Sequence, residues 1–209
     1  MKLYYTSHDN SLAVRISIHE MGIKCEYESV DLQTKVTETG ADFFKINPKG
    51  QIPALLLDDG TLLTENAIIQ QYLANKNHKT ELLPPEKDFS HYRVLEWLNF
   101  ISTEIHKTCS CIYNKGVPEN IKDTVFKVIL KRKFDYVENH LSKNKYLMGD
   151  QFTLADGYLF TSLTWFPHMK MDLHQYPHLT RYYKDLMKRK SVIQALEEEG
   201  LTKSAELFE

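Results

Sequence analysis

Over residues 1–78 the hydrophobic pattern switches between the two-residue period of strands and the broader faces of helices. Lys2-Leu3-Tyr4-Tyr5 predicts a short strand, and Ser7-His8-Asp9-Asn10-Ser11 offers several helix N-caps. Leu12, Val14, Ile16, Ile18 and Met21 spread over a mainly buried helix, which Gly22 ends. Tyr27 to Val30 predicts a second strand. Asp31 to Pro48 reads as irregular, with one short helix around Ala41 to Ile46. Ala54-Leu55-Leu56-Leu57 predicts a buried strand and Leu62-Leu63 its return. Asp58-Asp59-Gly60-Thr61 joins them, because Asp-Gly favours the turns that match twisted antiparallel strands. Thr64-Glu65-Asn66 caps a helix from Ala67 to Lys76.

The pattern changes character after His78. Residues 79–88 are polar and carry Pro84-Pro85, which marks a linker. Beyond it the period is helical throughout. Phe89 to Tyr113 predicts one long helix, and Gly116-Val117-Pro118 separates it from a second over Glu119 to Leu141. Thr153-Leu154-Ala155-Asp156 is a capping box, with Asp in place of the usual Glu, opening a third. A fourth helix follows Pro177, and a short one surrounds Ile193 to Glu199. The fold class expected is therefore α/β plus all-α: an α/β domain over 1–78, a linker over 79–88 and an all-helical domain over 89–209.

Composition narrows the class. Of 209 residues 42% are apolar and 26% charged, enough for packed cores and too apolar for gross disorder. A formal net charge of −2 gives no electrostatic pull toward nucleic acid or a lipid surface, so neither is expected as partner. Met1 to Ser7 lacks the apolar run of a signal peptide, and no window approaches the ~18 apolar residues of a membrane span. Cys25, Cys109 and Cys111 are too few and too odd in number for a disulfide framework. A soluble, cytoplasmic protein is expected.

Two segments carry candidate chemistry. In Gln51-Ile52-Pro53 a cis Ile52–Pro53 bond would leave the Ile52 N–H and C=O free to pair with an extended peptide, whereas a trans bond would be an ordinary strand start. Thr64-Glu65-Asn66 puts a carboxylate and a short polar residue at a helix start. Helix N–H groups bind a carboxylate and Glu65 can hold an ammonium, so together they suit an α-amino acid head. A plain N-cap reads the same segment more simply.

Taken with their neighbours, these segments resemble the cytosolic glutathione transferase family, and most closely its bacterial beta class. The likeness runs through Asp31-Leu32 with Lys35, Asn47-Pro48-Lys49-Gly50-Gln51-Ile52-Pro53-Ala54-Leu55, Asp58 to Glu65, Glu96 to Lys107, and Phe152-Thr153-Leu154-Ala155-Asp156 with Tyr158-Leu159-Phe160. It implies a thioredoxin-like βαβ-ββα domain, an all-helical domain, glutathione as co-substrate, a small hydrophobic electrophile and a homodimer. It also implies roles. Ile52, beside Pro53, would pair with the cysteinyl backbone of glutathione. Glu65 and Asn66 would take the γ-glutamyl head with Gln51 nearby, and Lys35 and Lys107 would lie near the glycyl carboxylate or the open site. Asn99 and Glu104 would reach a partner's glutathione, and His106 would approach the sulfur.

One departure matters. The class resembled carries a cysteine where this chain has Asn10. Asparagine cannot form a mixed disulfide, but it can favour a thiolate. Lowering a thiol pKa by about two units takes roughly 2.7 kcal/mol. A hydrogen bond to a charged group supplies about 1.5–3 kcal/mol. The Asn10 amide or the Ser11 hydroxyl at a helix start suffices, unless Asn10 only caps that helix. Cys109 shares a helix face with His106 and is either a relocated thiol or packing. Tyr113, Tyr158, Trp165, Phe166 and His168 are divided between core and pocket. His168, His174 and His178 straddle Pro177 without a metal-binding spacing, so no metal is expected. Conjugation of glutathione to electrophiles leads. A ligandin-like binding protein, a disulfide or peroxide reductase and a glutathione-dependent isomerase or dehalogenase are the alternatives.

Overall fold

The computed structural model describes residues 1–202; residues 203–209, the last of the expected helical domain, lie outside the described part. The N-terminal sheet contains β1 (Lys2–Tyr5), β2 (Glu26–Asp31), β3 (Val36–Thr37), β4 (Ala54–Leu56) and β5 (Leu62–Thr64), in the order β3-β2-β1-β4-β5. β1 pairs parallel with β2, Leu3 facing Tyr27, and antiparallel with β4, Leu3 facing Leu55. The parallel pair is joined through α1 (Ser11–Met21), as such pairs require. β4 and β5 form the expected hairpin. The segment read as irregular contains β3 and α2 (Phe43–Ile46). Only two residues of β3 pair, too few to show a strand period.

The pleat divides the apolar residues between two layers. Leu3 and Leu55 face the main core with α1 and α3 (Asn66–Lys76). Tyr4, Val30, Phe43, Ile52 and Ala54 form a smaller cluster on the other side, under α2. α1 buries nearly its whole circumference, because the sheet, α3 and the helical half all pack on it.

The long helix is interrupted rather than continuous. α4 (Phe89–Phe100) passes into a π-helical stretch, Ile101–His106, and then α5 (Lys107–Tyr113). The Thr103 hydroxyl donates to the Asn99 carbonyl at 3.0 Å, and that of Thr108 to the Glu104 carbonyl at 2.7 Å. Such back-bonding competes with the helical ladder where the winding changes. The second predicted helix is likewise divided into α6 (Glu119–Ile121), a π-helical stretch Lys122–Phe126, and α7 (Lys127–Leu141). α8 (Leu154–Leu163), a 3-10 turn Leu173–Gln175, α9 (Pro177–Leu186) and α10 (Lys190–Glu198) complete the described chain. At the head of α8 the Asp156 carboxylate accepts from the Thr153 N–H at 2.8 Å, as the capping box predicted.

The two halves meet on α1, which packs against α8 and α10. Arg15 of α1 donates to Glu199 at 3.0 Å and Glu198 at 2.9 Å, with its guanidinium over the rings of Tyr27 and Tyr5 at 3.8 and 4.3 Å. Among the described residues no helix is long and apolar enough to cross a membrane.

Candidate functional site

The loop before β4, the head of α3 and the inner face of the run from α4 to α5 enclose a cavity of about 670 Å³. From the helical side it is lined by Leu95, Leu98, Asn99, Ser102, His106, Lys107 and Ser110, steps of three and four that keep one helix face inward. From the sheet side come Asn10, Lys35, Gln51, Ile52, Pro53, Glu65 and Asn66. Ten of the twelve site residues inferred from sequence therefore share one cavity; Ser11 and Glu104 are not in its lining.

The loop before α1 is pinned on several sides. His8 has φ of 63°, a left-handed value that a side chain adopts at a cost. Its N–H donates to the Glu199 carboxylate at 3.0 Å, and its carbonyl accepts from the Trp165 indole at 3.2 Å. The Ser7 hydroxyl donates to the Glu199 carbonyl at 2.8 Å. The Asn10 carbonyl accepts from the Asn66 amide at 2.5 Å, which ties the starts of α1 and α3 together.

Asn10 is 7% exposed, and its side chain makes no cap bond to α1. Its Nδ2 points at Nδ1 of His106, 3.5 Å away, and its Oδ1 is buried without a partner among the described residues. Ser11 corrects the sequence reading. Its side chain is fully buried and outside the cavity lining, and its hydroxyl donates to the Thr6 carbonyl at 3.1 Å and accepts from the Thr6 N–H at 3.4 Å.

His106 is held from α8. The Tyr158 hydroxyl lies 2.8 Å from Nδ1. Burial, with a smaller push from the Lys107 charge, holds the imidazole down at about 4, so the ring is neutral near pH 7. A neutral ring whose Nδ1 accepts the Tyr158 proton carries its own proton on Nε2. Tyr158 is a site residue that sequence reading left among the general aromatics, because its partner lies 52 positions away.

On the sheet side, the Ile52–Pro53 peptide is cis, the first of the two alternatives. The loop before it is fixed by the Asn47 amide, donating to the Gln51 carbonyl at 2.6 Å, and by Lys35, donating to the Gly50 carbonyl at 2.7 Å. Gly50 has φ of 60°, and a Cβ there would fall 2.6 Å from the Phe44 ring. A side chain there is strained by the backbone and displaces the Phe44 ring. Glu65 has φ of 73° at the head of α3, a strained position for a side chain of its kind. Its carboxylate receives the Lys49 ammonium at 2.6 Å. Lys49 is a second residue that sequence reading passed over, although Asn47-Pro48-Lys49-Gly50 was in view.

The remaining candidates fall elsewhere. Glu104 leaves the cavity and pairs with Lys133 at 2.6 Å. Cys109 is fully buried in the core and absent from the cavity lining, and burial pushes its thiol well up. His168 packs on His8 with ring centroids 4.7 Å apart, and His174 pairs with Asp172 at 3.0 Å.

Comparison with known proteins agrees with this geometry. The family model for the glutathione S-transferase N-terminal domain matches residues 1–75, and that for the C-terminal domain matches residues 100–190. Glutathione S-transferase GstA of Escherichia coli O157:H7 is 43% identical over 201 residues, covering 96% of this chain and 100% of that protein. A glutathione transferase of Methylococcus capsulatus str. Bath superposes with a TM-score of 0.92 at 46% identity, covering 96% of this chain and 98% of its own. The bacterial beta class enzyme of Sphingomonas chungbukensis gives a TM-score of 0.92 at 34% identity, covering 97% and 100%.

Proposed function

The chain belongs to the glutathione transferase family and is a glutathione transferase, and from that premise we propose how its own residues carry the reaction. Glutathione lies along the sheet side of the cavity. Ile52 pairs with its cysteinyl backbone, and Glu65 with Asn66 and the head of α3 takes the γ-glutamyl head, Gln51 standing beside them. Lys35 and Lys107 supply positive charge for the glycyl carboxylate or the open site, and Asn99 lines the same wall.

The sulfur is activated by two neutral donors. The Asn10 amide and the His106 Nε2–H both favour the thiolate, and neither gives up a proton. An ordinary thiol titrates near pKa 8.5, so two charge-assisted hydrogen bonds of about 1.5–3 kcal/mol each are ample to bring it below neutral. The observation that carries this reading is Nδ1 of His106 facing the Tyr158 hydroxyl at 2.8 Å and the Asn10 Nδ2, which can only donate, at 3.5 Å; with Nδ1 as the acceptor the neutral ring carries its proton on Nε2. His106 acts as a fixed dipole, and the thiol proton passes to solvent. The thiolate then attacks the electrophilic carbon of a small, largely apolar second substrate.

A homodimer completes the reading. Ile68 of α3, Phe89 and Tyr92 of α4, and Val128 and Tyr136 of α7 expose large apolar side chains, and burying such a band supports association. Glu104, outside its own chain's cavity, is placed in this reading to reach the partner's. The division into units over 1–78 and 89–209 and a cytoplasmic location belong to the same proposal.

Glutathione affinity retention followed by assay with aryl halides, epoxides, disulfides and peroxides tests the function. Retention with conjugation of at least one carbon electrophile is expected. Turnover of disulfides and peroxides alone would favour the reductase, and retention without any turnover the binding protein. Sedimentation at micromolar concentration gives a dimer if the assembly is right and a 24.5 kDa species if it is not.

A further inference from the structure

Asp9 is not used by the reaction as described, yet it stands in the same cavity wall as Asn10. It is half-buried, and its Oδ1 accepts the Asn10 N–H at 2.6 Å. Among the described residues no Lys, Arg or His pairs with it. Tyr113, Tyr158 and Glu199 feel its charge, none of them a cation near neutrality. Burial raises its carboxyl above the ordinary range.

A glutathione thiolate beside Asn10 adds a second negative charge to this wall. Two like charges in one partly buried wall repel. Burial and the lack of an ion-pair partner both favour the neutral carboxyl, and a thiolate beside it favours that form further. The site then holds a nucleophile and a carboxylic acid side by side.

We propose that Asp9 is the general acid of this site when the attacked carbon is coupled to an oxygen, as in epoxides and α,β-unsaturated carbonyls. The proposal rests on the thiolate reading given above. In epoxide opening the S–C bond forms as the C–O bond breaks, and the oxygen takes the proton from the free Asp9 carboxyl oxygen. In addition to an enone the S–C bond forms at the β carbon, the π electrons move to the carbonyl oxygen, and that oxygen takes the same proton. The carboxylate recovers a proton from water, which balances the one released when the thiol ionised. An aryl halide expels a halide ion and needs no acid.

Asp9→Asn separates these cases. Its side-chain oxygen still accepts the Asn10 N–H, so the loop keeps its anchor, but it carries no acidic proton. Full-length wild type and variant are assayed with glutathione and styrene oxide, an enone and a dinitro-substituted aryl chloride. The expected result is a loss of about a hundredfold on epoxide and enone, the lower range of general-acid contributions. Aryl chloride turnover stays within a few fold or rises. Infrared difference spectra on adding glutathione at pH 7 should show a protonated-carboxyl band in wild type that Asp9→Asn lacks. Equal losses on all three electrophiles, or no loss on epoxide and enone, would overturn the proposal. Failure of wild type to form a bound thiolate would refute the activation reading instead. In that case the loss of Asp9→Asn on epoxide and enone relative to aryl chloride still decides whether Asp9 is the acid, and equal losses count against it.

Discussion

The Lys49 ammonium lies 2.6 Å from the Glu65 carboxylate and 3.0 Å from the Thr64 hydroxyl, so the residue proposed to grip the ligand's ammonium already holds one. Both side chains of the pair are more than half exposed, at 53% and 62%. Exposed pairs of this kind are weak, about 0–1 kcal/mol. The ligand's ammonium can take the place of Lys49 at little cost.

Glu65→Ala should therefore weaken glutathione binding by a factor of thirty or more, about 2 kcal/mol or above, because the ligand's ammonium loses its counter-charge. Lys49→Met should change it by less than about fivefold. Calorimetry on the two variants checks this. A Lys49→Met loss as large as that of Glu65→Ala would move Lys49 from bystander to ligand residue.

His106 ties stability to pH. Its pKa is held at about 4 in the folded chain, below the ordinary 6.5. Between those values the unfolded chain takes up a proton that the folded chain refuses, so stability falls as pH drops from 6.5 toward 4. Above 6.5 both states are neutral and the effect vanishes. The full span is about 3 kcal/mol. His106→Asn should flatten the pH dependence of urea unfolding in that window relative to wild type; parallel curves would show that the ring is not held neutral.

Asp156 is the buried hub of the helical half. It accepts from the Leu147 N–H at 2.9 Å, the Thr153 N–H at 2.8 Å and the Tyr182 hydroxyl at 2.9 Å. Asp156→Ala orphans the Leu147 and Thr153 N–H groups and leaves the Tyr182 hydroxyl only the carbonyl of residue 156 at 3.2 Å, and should cost about 3–5 kcal/mol. For a chain of this length that lowers Tm by about 6–20 °C. Glutathione affinity of the folded protein should not change, since Asp156 is not in the cavity wall.

The strands and most helix ends were legible because they are local. Lys2–Tyr5, the Asp58–Thr61 hairpin turn and the Thr153–Asp156 cap each depend on neighbouring residues, and each was read from its own segment. The cavity's sheet side was legible for the same reason, Gln51 to Pro53 and Thr64 to Asn66 being short segments with their own chemistry. Ser11 was misplaced because α1 is buried nearly all round, so no polar stripe showed which way its first turn faces. The Tyr158–His106 contact spans 52 positions and the Arg15–Glu199 pair 184, and no periodicity encodes such partners. The π-helical turn before Lys107 was hidden too, since Ile101–His106 has the composition of an ordinary helix.

In the proposed reaction the Asn10 amide stabilises the glutathione thiolate. The ultraviolet absorbance of bound thiolate, titrated against pH in wild type, Asn10→Ala and Ser11→Ala, tests it most directly. The account predicts that Asn10→Ala raises the apparent pKa of the bound thiol by about one to two units, the worth of one charge-assisted hydrogen bond. Glutathione affinity below that pKa should stay within about twofold, the range left once Ile52 and Glu65 still hold the peptide. Ser11→Ala should leave the pKa where it was, because that hydroxyl is engaged with Thr6. An Asn10→Ala titration that overlays wild type would contradict the account.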